Sequence, residues 1–352
     1  MEGHRMKSKC HKEFPPNVDS SLRTPGAIQS NGYAKRIAIF GLLFAISCFF
    51  YISNVAAQNL HRIEMYAKKP HPDYEYLAYG MIRHEITDKN GLTTDITSRY
   101  STAPIIPGPT IIMDEGDVAE ITLYSEVPIP ENADHPDLHE NVSLHVHGVH
   151  YDIVSDGTLK YINLFKDEGA TLVQSYTYRW DAAFGTAGTW AYHDHNMHTH
   201  NGAEDKGLYG ALIVNPASRT VSIGQDGGIT SVPLSSIAKD YILYVIDDAF
   251  VGTEIDNRTG QQTPIWVNPA LSAQAGTNVR FHLIAMGTNF HQFKLPGYSW
   301  PDPATRTIVE EKAIGPLEKH VFAITAGANS SYMDASFAGI AQNMIGSFTV
   351  NP

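Results

Sequence analysis

The sequence predicts an all-β protein built as two related β-sandwiches, and three observations predict it. From about Tyr74 onward the chain runs in short β-prone segments broken by Gly, Pro, Asn and Asp. Val118–Tyr124, Tyr241–Ile246 and Val279–Ile284 are examples, and their spacing suggests antiparallel sandwiches or barrels. No long helical periodicity interrupts these segments. The chain also repeats itself weakly. Glu115-Gly116-Asp117-Val118-Ala119-Glu120-Ile121 answers to Ala275-Gly276-Thr277-Asn278-Val279-Arg280-Phe281, and the GALIVNP of Gly210–Pro216 answers to the GSFTVNP of Gly346–Pro352. Each pair marks an early and a last strand of one unit.

In chain order, residues 1–57 read as a targeting segment. Lys35-Arg36 precede an apolar run, Ile37–Ile52, and Val55-Ala56-Ala57 offers small residues where a signal peptidase would cut. The run is short for a membrane span and long for a signal core, so an anchor and a cleaved signal both stand open. In either case the flanking positive charge stays inside and the bulk of the chain is expected outside the cytoplasm. Residues 62–216 form the first unit, 217–234 the connection and 235–352 the second unit.

The whole chain carries a formal net charge of −12 from 25 basic and 37 acidic residues. Residues 1–57 hold seven of the basic and three of the acidic residues, so the remainder stands at −16. That balance disfavours nucleic acid as a partner and suits an extracytoplasmic body. Asn141, Asn257 and Asn329 begin N-glycosylation patterns. Both cysteines, Cys10 and Cys48, fall in the targeting segment. The folded part therefore has no disulfide, no thiolate metal ligand and no cysteine nucleophile.

The chemistry is concentrated in two histidine pairs, Leu144-His145-Val146-His147-Gly148 and Tyr192-His193-Asp194-His195. Successive side chains of a strand point to opposite faces, so each His-x-His puts two imidazoles on one side. Two such strands side by side would gather four imidazoles, a donor set suited to copper, zinc or iron. His150, His198 and His200 lie close in sequence and are candidates for further ligands or for hydrogen-bond partners of the ligands. Asp152 and Asp156 could orient the imidazoles, and Met197 is a soft candidate ligand. His282 and His320 have no ligand partners in the sequence and read as structural.

These residues resemble the cupredoxin sandwiches of multicopper oxidases, most closely the two-domain small laccases. The resemblance is carried by Pro107-Gly-Pro-Thr-Ile, Glu115-Gly-Asp, Leu144-His-Val-His-Gly, Gly188-Thr-Trp-Ala-Tyr-His-Asp-His195 and Gly207-Leu-Tyr-Gly-Ala-Leu-Ile-Val214. It implies two tandem Greek-key cupredoxin-like sandwiches and copper as cofactor. It also implies a trimer with a trinuclear cluster between the first domain of one subunit and the second domain of the next. His145, His147, His193 and His195 match the first domain's share of that cluster.

The second domain departs from the family. The expected His-x-x-His-x-His-Gly reads His291-Gln-Phe-Lys294-Leu-Pro296-Gly297, and the closing His-Cys-His, His and Met read Met333-Asp334-Ala335, Gly339 and Met344. His291, Asp334 and Met344 are thus the remnant of a degenerate copper pocket. A blue-copper site needs two His and one Cys thiolate, and no cysteine follows Cys48. Copper nitrite reductases, another trimeric cupredoxin family, need the same cysteine. Lys294 stands where a cluster ligand belongs. An ammonium about 4 Å from a unit positive charge is opposed by roughly 4 kcal/mol at an effective dielectric near 20.

The expectation is a copper-binding oxidoreductase centred on the first-domain histidines and acting on oxygen, a nitrogen oxide or a phenol. The alternative is a non-catalytic copper protein that stores the metal or completes a cluster with a type-1-copper-bearing partner.

Overall fold

The computed structural model describes residues 59–71, 76–127, 142–158, 162, 175–195, 207–225 and 228–352. The apolar run 37–52, both cysteines, Met197, His198 and His200 lie outside the described residues. Among the described residues no helix is long and apolar enough to cross a membrane.

The first sandwich comprises β1 (Leu60–Lys68), β2 (Ala78–Thr87), β3 (Thr93–Asp95), β4 (Ile111–Asp114), β5 (Val118–Ser125), β6 (His145–Val146), β7 (Ser175–Asp181), β8 (Gly188–His193) and β9 (Tyr209–Asn215). One sheet runs β3-β2-β1-β5-β7 and the other β4-β9-β8-β6. Period-two burial along β1 places Ile63, Met65 and Ala67 inward, where they join Ile121, Leu123, Tyr178 and Trp180 in one core.

The segment 217–234 carries a hairpin of β10 (Thr220–Gln225) and β11 (Gly228–Pro233). The strands β12 (Ile237–Val245), β13 (Phe250–Asp256), β14 (Gln261–Ile265), β15 (Leu271–Gln274), β16 (Asn278–Ala285) and β17 (His291–Lys294) follow. Then come β18 (Trp300–Pro301), β19 (Ile308–Val309), β20 (Glu311–Ile314), β21 (Lys319–Thr325), β22 (Ser330–Asp334), a short helix α1 (Phe337–Ala341) and β23 (Ile345–Asn351). Sheets β11-β10-β21-β16-β12-β13-β14 and β15-β23-β22-β17-β20 close the second sandwich over a core rich in aromatics, including Phe281, Phe293, Trp300 and Phe322.

The sheets are not purely antiparallel, as the segment pattern suggested. In the first sandwich β1 runs parallel to β5 and β4 to β9; in the second β12 runs parallel to β16 and β15 to β23. Greek-key crossovers bring sequence-distant strands side by side in the same direction, and local alternation carries no record of strand direction.

The weak sequence repeat is a spatial one. Gly116 and Gly276 both turn at positive φ (+99° and +77°), and their N–H groups donate to Ala182 and Ala326 carbonyls at 2.7 and 2.8 Å. Tyr192 and Tyr332 hydroxyls donate to Pro109 and Pro269 carbonyls at 2.5 and 2.6 Å. Each tyrosine ring fills the space that a Cβ on Gly210 or Gly346 would need.

A third apolar cluster joins the two sandwiches, with Ala191, Tyr209, Ala211 and Ile213 against Ile242, Tyr244 and Ile284. Each fully buried isoleucine there contributes roughly 1.5–3 kcal/mol. The same junction buries Asp240, held between Arg280 (2.7 and 3.0 Å) and His282 Nε2 (3.1 Å), while His282 Nδ1 contacts Thr189 Oγ1 at 2.5 Å. Burial pushes the Asp240 carboxyl up, but Arg280 and His282 more than offset this and hold it well below the usual range. His320 accepts a hydrogen bond from Trp300 Nε1 at 2.9 Å inside the second core. Both histidines are therefore engaged as packing and polar-network residues.

Candidate metal centre

β6 pairs antiparallel with β8, and His145 lies directly opposite His193. The His147 N–H donates to the Ala191 carbonyl at 3.0 Å, which continues the ladder one step beyond β6. Alternation then puts His145, His147 and His193 on one face of the sheet. Their ligand atoms all lie within 4.8 Å of one another. Ring centroids are 4.9 Å apart for His145–His147, 5.3 Å for His145–His193 and 5.2 Å for His147–His193.

Two of these rings are fixed from behind. His145 Nδ1 donates to the Asp156 carbonyl at 2.5 Å, with the Asp156 carboxylate 3.4 Å away. His193 Nδ1 donates to the Asp194 carbonyl at 2.7 Å. With Nδ1 carrying the proton, Nε2 of each ring is a bare lone pair. Asp156 thus takes the orienting role that the sequence suggested for it, mainly through its backbone.

The rings are also neutral. Burial pulls His193 down to about 3 and His147 to about 4, with neighbouring imidazoles adding to the effect; for His147 the ammonium of Lys319 adds further. His145 is lowered by burial as well. Neutral imidazoles are the metal-binding form.

His195 stands beside this set, outside the three whose ligand atoms converge. Its ring centroid is 4.8 Å from His145 and 5.6 Å from His193, and its N–H donates to Ser143 Oγ at 2.9 Å. β8 ends at His193, so strand alternation no longer dictates where His195 points. His150 is exposed, and its backbone pairs with Asp181; it does not join the converging set. Asp152 caps the turn that follows by accepting from the Ser155 N–H at 2.9 Å.

Asp194 is buried and binds Ser143 twice, accepting from its N–H at 2.8 Å and its hydroxyl at 3.2 Å. The same Ser143 oxygen supports His195, so the carboxylate holds the β6 approach against the end of β8. Gly148 follows His147 at φ +72°, and a Cβ there would lie 2.0 Å from the Trp190 ring. Lys319 of the second sandwich stacks on that ring, 3.4 Å from its centroid.

The second sandwich has lost the equivalent constellation. Lys294 faces Met333 across β17–β22 as His145 faces His193 across β6–β8. Its ammonium is paired with Glu311 at 2.6 Å. Pro296 precedes Gly297, which has positive φ as Gly148 does.

His291, Asp334 and Met344 are all buried. Asp334 accepts from His291 Nδ1 (2.8 Å), the Gln292 N–H (2.8 Å), and the Ser336 N–H and hydroxyl (2.9 Å each). Burial pushes the Asp334 carboxyl up, but these hydrogen bonds outweigh it and hold the group at about 2. Gly339, where the family has a histidine, packs against the carboxylate, which fills the space a Cβ would take. The former pocket is occupied by a hydrogen-bonded carboxylate. His291 Nε2 is buried without a hydrogen-bond partner among the described residues, 3.8 Å from Asp247 Oδ1.

Sequence reasoning passed over a second buried histidine pair, His61 and His84, whose nitrogens meet at 2.9 Å. A β-bulge between Glu64 and Met65 accompanies the register that makes them diagonal neighbours on β1 and β2, and no motif announces it.

The donor set suits copper. Three neutral, converging imidazoles match an ion that favours nitrogen ligands, and the absence of thiolate from residues 58–352 rules out a blue-copper site within this chain.

Comparison with known proteins agrees with this geometry. Residues 100–219 match the multicopper oxidase family model. The chain is 26% identical over 238 residues to a probable nitrite reductase-hydroxylamine oxidoreductase fusion protein of Kuenenia stuttgartiensis, covering 64% of this chain and 24% of that one. It is 34% identical over 113 residues to laccase abr2 of Aspergillus fumigatus, covering 31% and 16%. The chain thus spans about a quarter and a sixth of the length of these curated relatives.

In fold it is similar to a copper nitrite reductase from Nitrosomonas europaea (TM-score 0.51, 15% identity, covering 83% of this chain and 94% of that one). It is also similar to a multicopper oxidase (TM-score 0.50, 18% identity, covering 84% and 90%). Fold and histidine site define a two-domain cupredoxin protein. Residues 100–219 resemble the multicopper oxidase family, while no cysteine follows Cys48 and Lys294 and Pro296 occupy the corresponding second-sandwich positions.

Proposed function

We propose that this chain is an extracytoplasmic copper-binding oxidoreductase that holds copper on His145, His147, His193 and His195. Its substrate or oxidant is a small molecule of the oxygen, nitrogen oxide or phenol class. The convergence of three neutral imidazoles, two of them locked through Nδ1 onto backbone carbonyls, carries this reading. The redox activities named for the relatives support it.

Copper bound there would supply one-electron redox chemistry and an exchangeable position. The chain's own contribution is orientation. Asp156 and Asp194 aim the Nε2 lone pairs, and Trp190, pressed against Gly148, backs the turn after His147. A homotrimer, or pairing with another cupredoxin chain, belongs to the same proposal, as does an N-terminal anchor or cleaved signal.

The test is turnover by the copper-loaded protein, measured as oxygen uptake with a phenol and as nitrite loss with a reductant. The proposal expects turnover in at least one assay and its loss in His193→Ala; inactivity in both contradicts it. The Lys294–Glu311 ion pair, standing where a second set of ligands belongs, favours one other reading: a copper store or a partner in a shared cluster. Tight copper binding without turnover, regained on adding a cupredoxin with an intact thiolate site, would support that alternative.

A further inference from the structure

Four buried side chains of the first sandwich, Asp117, His61, His84 and Tyr100, form a hydrogen-bonded chain outside the histidine site. Asp117 sets its direction. Its carboxylate accepts from the Asn59 and Asp114 N–H groups at 2.9 Å each and from His61 Nε2 at 3.2 Å. His61 Nδ1 is then a bare lone pair and accepts from His84 Nε2 at 2.9 Å. His84 Nδ1 in turn accepts from the Tyr100 hydroxyl at 2.8 Å. Each tautomer follows from the one before it, and the chain ends on a phenol aimed at a lone pair.

Gln262 of the second sandwich closes the other side of the hydroxyl. Its Oε1 accepts from the Thr110 N–H at 3.0 Å and its Nε2 donates to the Thr110 carbonyl at 2.6 Å, and the same amide hydrogen-bonds to the Tyr100 hydroxyl. The hydroxyl oxygen is thus used as an acceptor, and its proton is committed to His84.

Burial pushes the Tyr100 phenol well above its usual range, so it stays protonated at rest. Burial also pulls His84 down to about 3, with His61 and Arg99 adding to the effect. A proton lodged on His84 alone is therefore unfavourable. The chain avoids that charge. As the Tyr100 O–H bond breaks, an N–H bond forms at His84 Nδ1, the His84 Nε2 proton passes to His61 Nδ1, and the His61 Nε2 proton passes to Asp117. Both imidazoles end neutral in the opposite tautomer, and the carboxylate is neutralised. A base within hydrogen-bond reach takes a proton as charge develops; here the charge would develop on an oxidised phenol.

We propose that Tyr100 is a reversible one-electron donor whose proton moves along His84 and His61 to Asp117. A high-potential metal complex takes one electron from the phenol and is itself reduced by one, leaving a neutral tyrosyl radical. Reduction of the radical by one electron returns the three protons. Tyr100 and His61 line a cleft of about 300 Å³ between the two sandwiches, from which an oxidant reaches the ring. The ring is nearly all buried, which keeps a second phenoxyl from coupling to it.

The test is flash photolysis with EPR on the metal-free full chain, using photogenerated tris(bipyridyl)ruthenium(III) as the oxidant. The metal-free state keeps the outcome independent of the copper reading. The expected result is a tyrosyl component that is lost in Tyr100→Phe and in His84→Leu. Tyr124→Phe, at an exposed ring outside the chain, should keep it. The Tyr100-dependent step, taken as the difference between the unaltered protein and Tyr100→Phe, should also slow in heavy water after full exchange. That measurement leaves the histidines intact and decides the matter if His84→Leu fails to fold. An equal tyrosyl signal in Tyr100→Phe, a folded His84→Leu that retains the signal, or a Tyr100-dependent step indifferent to heavy water overturns the proposal.

Discussion

His147 and His193 present their Nε2 atoms to each other at 2.9 Å across the β6–β8 edge. His193 keeps its proton on Nδ1 for Asp194, so in the metal-free protein the contact is an N–H from His147 to the His193 lone pair. A metal that takes both nitrogens needs only a tautomer change in His147, without net loss of a proton.

Protons should therefore not compete with copper for His147 or His193 between about pH 7 and about pH 5, because these two imidazoles are already neutral there. Competition at these two rings should set in as pH approaches about 4 for His147 and about 3 for His193. Competition titrations against a chelator of known pH dependence check this. Imidazole NMR signals of His147 and His193 that titrate between about pH 7 and 6, as for ordinary histidines, would show that these rings are not held neutral.

Asp194→Ala should destabilise the protein by about 1–3 kcal/mol, because the Ser143 N–H and hydroxyl lose a buried acceptor. Asp194→Asn keeps an acceptor and should cost less. Chemical denaturation of the three proteins orders them, and equal stability would assign Asp194 no structural part.

Gly148→Ala meets two obstacles, positive φ and the Trp190 ring. Gly91 has a similar φ of +81° with nothing within 4 Å of an added Cβ. Gly91→Ala should therefore cost about 1 kcal/mol from the backbone alone. Gly148→Ala should cost clearly more and should also weaken copper uptake, since it displaces the turn that carries His147. Comparable losses in the two variants would remove Trp190 from the account.

Asp334 is held at about 2, against an ordinary value of 3.8. A carboxylate depressed in the fold contributes stability that is present in full above its unfolded value. That contribution is lost as pH falls from about 3.8 to about 2, up to roughly 2 kcal/mol. Acid unfolding of Asp334→Asn should show a shallower decline over that window than the unaltered protein. An identical decline would mean that other carboxylates govern acid stability.

The sequence made the fold class and the heart of the site legible for one reason: strand alternation is local. His145, His147 and His193 lie on adjacent paired segments and share one face, as alternation requires. The missing cysteine likewise needed no structure to exclude a blue-copper centre. What was not legible depended on partners distant in sequence. His195 lies past the end of β8, where alternation lapses, and His150 is turned out by its pairing with Asp181. The Lys294–Glu311 ion pair and the filling of the old pocket by Asp334 needed the β17–β20 and β17–β22 registers. The His61–His84 pair needed the register of β1 against β2.

The central claim is that His145, His147 and His193 hold copper. Copper per chain, determined by elemental analysis with EPR on the purified protein, tests it most directly. The account predicts bound copper with nitrogen hyperfine structure and no intense thiolate band, and its loss in His147→Ala or His193→Ala. Retention of full copper in both variants, or no copper in the unaltered protein, would contradict it.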